Sequence, residues 1–230
     1  MKTLANFSEL RHKAVEELRT QGILRDPHII RAMNKVPREE FLPSDMRSSA
    51  YVDSPLPIGF GQTTSALHMT ALFCEYGEMK VGQRIFEVGG GCGYMSCVYA
   101  EVVAPHEQPK RTWGHVWSAE LLPELAELGK KNVERLGYSD RVTFLQADAS
   151  EGLEGEDPFD LIIVTSAAPD IPKELVAQVK TGGILLIPVG GAQFYQELMR
   201  VTKKSDGTLF EENLGGVAFV LMKGKHGWDS

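Results

Sequence analysis

The chain has 230 residues, a net charge of −7, 43% hydrophobic residues and 24% charged residues. This composition is ordinary for a globular protein, and no apolar run approaches the ~20 residues of a membrane span. Lys and Arg are scattered, which argues against nucleic acid as a partner. Because the N-terminus lacks the apolar core of a signal peptide, we expect a cytoplasmic protein, most simply a monomer, that binds neither membrane nor nucleic acid.

The first 78 residues are predicted to form helices and a long loop. Asn6 is a helix cap ahead of apolar residues at helical spacing, and Asp26-Pro27 is a cap followed by a first-turn proline that opens a second helix. Residues 38–43 are predicted to form a short helical turn. Residues 45–61 are predicted to be a loop, and loops of this length are often functional.

The central region, residues 79–192, alternates strands and helices. This pattern predicts an α/β fold with a doubly wound, mostly parallel sheet. A long helix is predicted at residues 121–136, with Gly137 as its stop. The predicted strands are residues 84–88, 115–119, 142–146, 160–165 and 183–188.

The last region, residues 193–230, changes to an antiparallel hairpin. Its predicted strands are residues 197–202 and the apolar run 217–222, with a turn at Asp206-Gly207. All three regions are assigned to one domain, because 230 residues are most economically built around one core.

The three cysteines, Cys74, Cys92 and Cys97, have neither the spacing of a zinc site nor an even count. We therefore expect reduced packing residues, no disulfide framework and no metal. Cys92 lies inside a glycine-rich turn, where a reactive role is the alternative.

That turn, Glu87-x-Gly89-x-Gly91-x-Gly93, connects a predicted buried strand to a predicted helix. Glycine permits backbone angles that a Cβ forbids and lets a ligand approach the main chain. The spacing matches neither the G-x-G-x-x-G of dinucleotide sites nor a phosphate-binding loop, which needs a following Lys. The turn therefore predicts a site for S-adenosylmethionine (AdoMet), with Glu87 pairing the ligand's ammonium. The alternative is a tight turn with no ligand.

Two further acids follow successive strands, where open α/β sheets bind their ligands. Glu120 is expected to accept hydrogen bonds from both ribose hydroxyls, and Asp148 to meet the adenine amino group. Either acid alone is better explained as a helix cap or a solvated residue, but the recurrence of acids after successive strands favours a ligand site. The separation of Gly89 from Glu120 is longer than a compact unit requires, and we interpret residues 105–114 as a surface insertion, with an interaction role as the alternative.

The sequence resembles one family, the protein-L-isoaspartate O-methyltransferases, along nearly its whole length. Besides the glycine turn, the stretches that carry the resemblance are Val36-Pro-Arg-Glu-Glu-Phe41, Leu56-Pro-Ile-Gly59, Gln62-Thr-Thr-Ser65, Pro158-Phe-Asp-Leu-Ile-Ile-Val-Thr-Ser-Ala-Ala-Pro169 and Gly182-Gly-Ile-Leu-Leu-Ile-Pro-Val-Gly190. The resemblance implies a Rossmann-like class I methyltransferase domain that transfers the AdoMet methyl group to the α-carboxyl of isoaspartyl residues in damaged proteins and peptides. The ester then closes to a succinimide, which starts repair.

The resemblance also implies roles for individual residues. Ser65 is the expected catalytic residue, holding the acceptor carboxylate. The other implied substrate-binding residues are Thr63, Thr64, Thr165, Ser166, Val217 and Phe219, and the implied cofactor-binding residues are Glu87, Gly89, Gly91, Gly93, Glu120, Asp148 and Ala149. Thr63-Thr64-Ser65 before a helix is alternatively an ordinary N-cap, and Ser65 could do both.

The chain departs from the family's usual pattern at three places. Ala147-Asp148-Ala149 stands where Gly-Asp-Gly is common, the glycine turn reads Gly-Gly-Gly-Cys-Gly where Gly-Thr-Gly-Ser-Gly is frequent, and Thr165-Ser166-Ala167 replaces Thr-Ala-Ala. Two alternative functions follow: a related carboxyl methyltransferase for a dedicated peptide or small acid, and a binding module that has lost catalysis.

Overall fold

The structure is a computed structural model that describes residues 6–156, 158–191 and 195–228. Within these residues the α-helices are α1 (Phe7–Thr20), α2 (Pro27–Lys35), α3 (Leu67–Tyr76), α4 (Tyr94–Val103), α5 (Pro123–Arg135) and α6 (Lys173–Gln178). The strands are β1 (Leu56–Gly59), β2 (Gln62–Thr64), β3 (Arg84–Val88), β4 (His115–Glu120), β5 (Val142–Gln146), β6 (Phe159–Val164), β7 (Val179–Gly190), β8 (Gln196–Lys203) and β9 (Leu209–Val217).

The predicted caps of the first two helices are confirmed. The side chain of Asn6 accepts a hydrogen bond from the Glu9 amide, and that of Asp26 accepts one from the His28 amide. These bonds satisfy amides that have no partner inside the helix. The predicted short turn after α2 is a 3-10 helix, Arg38–Phe41.

The predicted loop at residues 45–61 is only partly irregular, and this prediction was wrong in its second half. Leu56–Gly59 forms β1, which pairs antiparallel with β2 through a turn at Phe60-Gly61. The hairpin alternates buried and exposed residues, with Leu56 and Ile58 packed into the core. Because β1 has only four residues and two prolines lie in or beside it, its alternation is too short to be recognised as a strand from the sequence.

The large sheet has seven strands in the order β5-β4-β3-β6-β7-β8-β9. The first five in this order are parallel, and β8 and β9 are antiparallel additions at one edge. The predicted doubly wound, mostly parallel fold is therefore confirmed. Its buried strands explain the near-continuous apolar runs in the sequence, because parallel sheets are covered on both faces.

Side chains of the central strand β3 divide between two hydrophobic clusters. Ile85 packs into the cluster that includes α3 and α4, whereas Phe86 stacks on Phe159 at 5.0 Å in the second cluster. The two clusters lie on opposite faces of the sheet because successive side chains of a strand alternate. None of the helices in the described ranges is long and apolar enough to cross a membrane.

The C-terminal hairpin differs from its prediction. Its turn at Asp206-Gly207 is confirmed, but its second strand is β9, and the apolar run 217–222 lies almost wholly beyond it. That run instead crosses to the end of β6, where the Ala167 amide donates to the Val220 carbonyl and the Met222 amide to the Ala167 carbonyl. Met222 of this run is buried, and the run lies against the end of β6 rather than within the hairpin.

Residues 105–114, interpreted from the sequence as a surface insertion, form a mostly exposed segment that includes a short 3-10 helix, Lys110–Thr112. Trp113 folds back against it, with its indole NH donating to the Gln108 carbonyl at 2.9 Å.

Candidate active site

The candidate site lies where β3, β4 and β6 end. The strand order reverses at β3, because β4 lies on one side of it and β6 on the other. The crevice outside the carboxyl ends of parallel strands at such a reversal is the usual ligand site of open α/β sheets. The glycine turn and the predicted acids are gathered there.

The glycine turn takes backbone angles that side chains disfavour. Gly89 has φ +95°, Gly91 +54° and Gly93 +85°. At Gly90 the restriction is steric, since a Cβ there would collide with the Ser118 hydroxyl and the Phe144 ring. The sequence therefore uses glycine at these positions for geometric reasons, and the turn leaves its backbone open to a ligand.

Glu87 is buried directly beneath this turn, with 1% of its surface exposed. The hydroxyls of Ser96 and Ser118 both donate to its Oε2 oxygen. Its Oε1 oxygen is buried and has no hydrogen-bond partner among the described residues. Burial raises the pKa of this carboxyl to about 7. An unsatisfied buried acceptor is costly, so a donor from a bound ligand is the natural partner for Oε1.

Glu120 ties the glycine turn to the start of α5. Its Oε2 accepts the Gly91 amide at 3.0 Å, and its Oε1 accepts the Leu122 amide at 3.0 Å. These bonds use one lone pair on each oxygen, so the carboxylate retains acceptor capacity for a ligand.

Asp148 has an additional task that sequence reasoning missed. Its Oδ1 accepts both the amide and the hydroxyl of Ser150, and its Oδ2 accepts the Lys225 amide at 2.8 Å. Burial opposes ionisation, but these hydrogen bonds outweigh it and lower the pKa of Asp148. The carboxylate thus anchors the C-terminal segment. Lys225 is 77 residues away from Asp148 in the chain, so no local sequence pattern predicts this contact.

The glycine turn, Glu120 and Asp148 line a recess with a cavity volume of about 80 Å³. We call it the larger recess. The predicted site residues that line it are Thr63, Gly89, Gly91, Glu120, Asp148, Ala149, Thr165 and Ser166. The C-terminal segment forms one wall with Val220, Leu221, Met222 and Lys223, which the sequence analysis did not assign to the site.

Two small spaces lie beside it, and Thr63, Ser65 and Thr165 line both of them. We call the two together the smaller recess. Thr63 and Thr165 line both recesses, so the two recesses meet at these residues. Glu87, Thr64 and Phe219 also line the smaller recess. Gly93 lines neither; its position before α4 lets the turn pass closely over the Gly129 carbonyl.

Ser65 is not the N-cap of α3, so that alternative was wrong. The cap position is Ala66, which has no side chain to bond the helix. Asp53 performs this task instead, because its Oδ1 accepts the His68 amide at 2.9 Å. The Ser65 carbonyl accepts a bond from Arg38 at 2.8 Å, while its hydroxyl makes no hydrogen bond to the described residues. The hydroxyl is therefore free to bind a ligand.

Thr165 and Ser166 are separated by their positions at the end of β6. The Thr165 hydroxyl donates to the Gly89 carbonyl at 2.7 Å, which fixes the glycine turn. Ser166 lines only the larger recess among the spaces described here, although it was expected on the acceptor side. The third residue of this triplet, Ala167, holds the C-terminal segment through its backbone.

Phe219 lines the smaller recess, whereas Val217 does not. The Phe219 amide donates to Gln196 Oε1 at 2.6 Å, and its carbonyl accepts from Gln196 Nε2 at 3.1 Å. The backbone of Phe219 is thus already bonded to a side chain that the sequence analysis missed. Val217 and Ala218 line a third space, an open groove that also includes Asp170, Glu197 and Glu211.

Among the described residues, the cysteines do not suggest a reactive thiolate and the acids do not suggest a metal site. Cys92 is buried, and burial raises the pKa of its thiol, which does not favour a reactive thiolate. Cys74 and Cys97 are buried free thiols. In the ranges that the structure covers, no group of three or more His, Cys, Asp or Glu residues could hold a metal ion.

Comparison with known protein families gives a match over most of the chain. The profile of the family described as "Protein-L-isoaspartate(D-aspartate) O-methyltransferase (PCMT)" matches residues 9–227. Among curated relatives, a protein-L-isoaspartate O-methyltransferase of Hyperthermus butylicus is 48% identical over 96% of this chain and 92% of its own length. One of Methanothermobacter thermautotrophicus is 44% identical over 95% of this chain and 97% of its own length.

Two solved structures share the fold along most of the chain. A protein-L-isoaspartate O-methyltransferase aligns with a TM-score of 0.83 at 32% identity, covering 94% of this chain and 67% of the other. A Plasmodium falciparum β-aspartate methyltransferase in complex with S-adenosyl-L-homocysteine aligns with a TM-score of 0.78 at 27% identity, covering 91% of this chain and 96% of the other.

Proposed function

This chain belongs to the protein-L-isoaspartate(D-aspartate) O-methyltransferase family, and we propose that it divides methyl transfer between the two recesses that meet at Thr63 and Thr165. It methylates the α-carboxyl of L-isoaspartyl residues in damaged proteins and peptides, with AdoMet as the methyl donor. The methyl ester then closes to a succinimide, which opens the route back to aspartate.

The residues around the glycine turn, which borders both recesses, suit AdoMet. The unpaired Oε1 of Glu87 offers an acceptor for an ammonium group, the Gly89–Gly93 backbone offers close approach, and Glu120 offers a carboxylate for paired hydroxyls. We assign the donor site to Glu87, Gly89, Gly91, Gly93, Glu120, Asp148 and Ala149. When bound, AdoMet supplies a methyl group activated by a positively charged sulfur.

Asp148 and Ala149 are assigned to the adenine end of this site. Both oxygens of Asp148 already accept protein hydrogen bonds, but a carboxylate has about four lone-pair positions, so it can still accept from an amino group. Ala149 is buried beside it and supplies an apolar contact in place of the glycine common in the family.

Ser65 is assigned to the acceptor. An α-carboxylate with a pKa of about 4 is ionised at neutral pH, so it is itself the nucleophile and needs no general base. The protein's task is to hold it in line with the methyl group. The single observation that carries this assignment is the free hydroxyl of Ser65 in the recess that also contains Glu87 and the glycine turn. Thr63, Thr64, Thr165 and Phe219 shape the walls around it, Ser166 and Val217 lie in the adjoining spaces, and all six are assigned to substrate binding.

Labelled methyl transfer tests the acceptor assignment. AdoMet carrying a labelled methyl group is incubated with an isoaspartyl peptide and, separately, with the same peptide containing normal aspartate. We expect base-labile label on the isoaspartyl peptide alone, because only its β-linked backbone presents the α-carboxylate as a side group. Equal labelling of the two peptides would contradict the proposal.

A further inference from the structure

Arg38 is a buried arginine that lines neither recess, yet it contacts the segment that carries Ser65. Its side chain is fully buried, with 0% of its surface exposed. One terminal nitrogen, Nη1, donates to the carbonyls of Ala50 at 2.8 Å and Val52 at 3.4 Å. The other, Nη2, donates to the carbonyls of Ser65 at 2.8 Å and Ser54 at 3.3 Å.

This cation has no counterion at ion-pair distance within the described ranges. Its Nε is buried without a hydrogen-bond partner. The Tyr94 ring lies 5.7 Å from the guanidinium carbon, and the Asp53 carboxylate, beyond ion-pair distance, also favours the charge. Burial lowers the pKa of Arg38. Removing a charge from water without pairing it is unfavourable, so stability alone is a poor reason for an arginine at this position.

The geometry supplies a different reason. The four carbonyls belong to two separate segments, residues 50–54 and residue 65, and the flat fork of a guanidinium can bond both at once. Asp53 lies in the first segment and caps α3 at His68, three residues after Ser65. Ser65 is therefore held at its own carbonyl by Arg38 and, through the first turn of α3, by Asp53.

We propose that Arg38 is a positioning residue for methyl transfer, which fixes the Ser65 hydroxyl in the smaller recess by holding the Ser65 carbonyl and residues 50–54 in one arrangement. The inference rests on the role proposed for Ser65. Arg38 touches neither donor nor acceptor and acts through Ser65.

The first test replaces Arg38 with lysine, which keeps the charge but has one terminal nitrogen and cannot span both segments. We expect Arg38→Lys to lower kcat on an isoaspartyl peptide by about 10- to 100-fold, the scale on which small displacements act. The Kd for AdoMet, measured by calorimetry, is expected to stay unchanged because the glycine turn keeps its bonds to Glu120 and Ala119. A parallel loss of AdoMet affinity would overturn the proposal.

Arg141 provides the matched control. It is also a buried arginine, but it precedes β5 at the opposite end of the strands and pairs with Glu101 at 2.9 Å. Arg141→Lys is expected to lower the melting temperature while leaving kcat unchanged. If Arg141→Lys lowers kcat as much as Arg38→Lys does, the effect is one of general stability and the positioning role fails.

A double variant distinguishes a positioning role of Arg38 from a purely structural one. If Arg38 acts through Ser65, Arg38→Lys should cause no further loss of kcat in a Ser65→Ala background, because the hydroxyl it positions is gone. Multiplicative losses in Arg38→Lys/Ser65→Ala would contradict the proposal.

Arg38→Met guards against a folding failure of the lysine variant, since apolar replacements of buried charges often fold well. It should reproduce the loss of kcat, and failure of both variants to fold would assign Arg38 to folding alone.

The assay also separates the positioning role of Arg38 from the proposed function. A wild-type protein that is inactive on isoaspartyl peptides contradicts the acceptor assignment. An active wild type with an equally active Arg38→Lys variant contradicts only the role of Arg38.

Discussion

The free hydroxyl of Ser65 leads to the first prediction at the scale of single residues. Ser65→Ala should lower kcat on an isoaspartyl peptide by about 10²- to 10³-fold, the usual cost of losing one hydrogen-bond donor to a developing reaction centre. The Kd for AdoMet should be unchanged because Ser65 does not line the larger recess. Steady-state kinetics and calorimetry give the two values.

Ser8→Ala is a suitable control for this measurement, because Ser8 is exposed on α1 and lines none of the spaces described. It should behave like the wild type. Parallel losses of turnover and AdoMet affinity in Ser65→Ala would move Ser65 from acceptor binding to a structural role.

The buried carboxyl of Glu87 predicts a pH dependence of stability. Its pKa rises from 4.5 to about 7 on folding, because burial disfavours the charged form. The folded state therefore keeps a proton that the unfolded chain releases above pH 4.5. The free energy of unfolding that this group contributes is fully present below pH 4.5, falls as the pH rises to about 7 and is constant above that.

Glu87→Gln should remove this contribution because glutamine does not titrate. Between the two pH values the wild type should lose about 3 kcal/mol of unfolding free energy relative to the variant. Urea unfolding of both proteins at a series of pH values measures the difference. A difference that is the same at pH 4 and pH 8 would mean that the pKa of Glu87 is the same in the folded and unfolded protein.

Individual site residues were predictable to different degrees for a physical reason. Glu87, the glycines and Glu120 follow strands, and the ends of adjacent parallel strands must meet, so their convergence could be inferred from local patterns. The pairing of Asp148 with Lys225, and of Gln196 with Phe219, joins positions that no periodicity connects. Such contacts depend on where the chain returns after the sheet is complete.

At the scale of whole elements, the start of α3 depends on a side chain outside the helix. Asp53 accepts the His68 amide and also contacts the His68 ring at 3.0 Å. Asp53→Ala should cost about 1 kcal/mol, as other helix caps do. For a protein of this size that corresponds to a melting temperature lower by about 2–4 °C.

Thermal unfolding monitored by circular dichroism measures this change. Asp45→Ala, an exposed aspartate in the same region that caps nothing described, should leave the melting temperature unaltered. An equal melting temperature for Asp53→Ala and the wild type would show that water replaces the cap without cost.

Elements with a long periodic pattern were recognised from the sequence, and short or ambiguous ones were not. The helices α1, α2 and α5 and the parallel strands agree with their predictions to within a few residues, except that β7 begins earlier. The hairpin of β1 and β2 is too short to show its alternation. The apolar run 217–222 was assigned to the wrong partner, because composition reveals that a segment is buried but not what buries it.

At the scale of the whole molecule, three acidic side chains lie in the open groove beside the smaller recess. Asp170, Glu197 and Glu211 line the open groove and form no ion pair with the described residues. The groove shares Pro55, Ala66, Met69 and Ala218 with the smaller recess. An acceptor chain that extends from Ser65 along this groove would meet three carboxylates.

We therefore expect isoaspartyl peptides with lysine beside the damaged residue to have a lower KM than matched peptides with glutamate. Exposed charge pairs contribute up to about 1 kcal/mol, so the difference should reach about fivefold and shrink as salt is added. The variant Glu197→Gln/Glu211→Gln should further reduce the difference in KM between the two peptides. If the difference in KM does not depend on salt, or persists undiminished in the double variant, the preference for lysine does not arise from the carboxylates of the groove.

The bond between Asp148 and the Lys225 amide has a consequence for the time at which the protein becomes active. A nascent chain leaves the ribosome from its N-terminus at about 5–20 residues per second, and the larger recess gains its last wall only when residues 220–225 have emerged and folded back. A chain translated only to residue 219 can build the sheet and the glycine turn but lacks this wall of the recess. An enzyme that repairs other polypeptides thus gains its complete site only after residues 220–225 have been synthesised and have folded back.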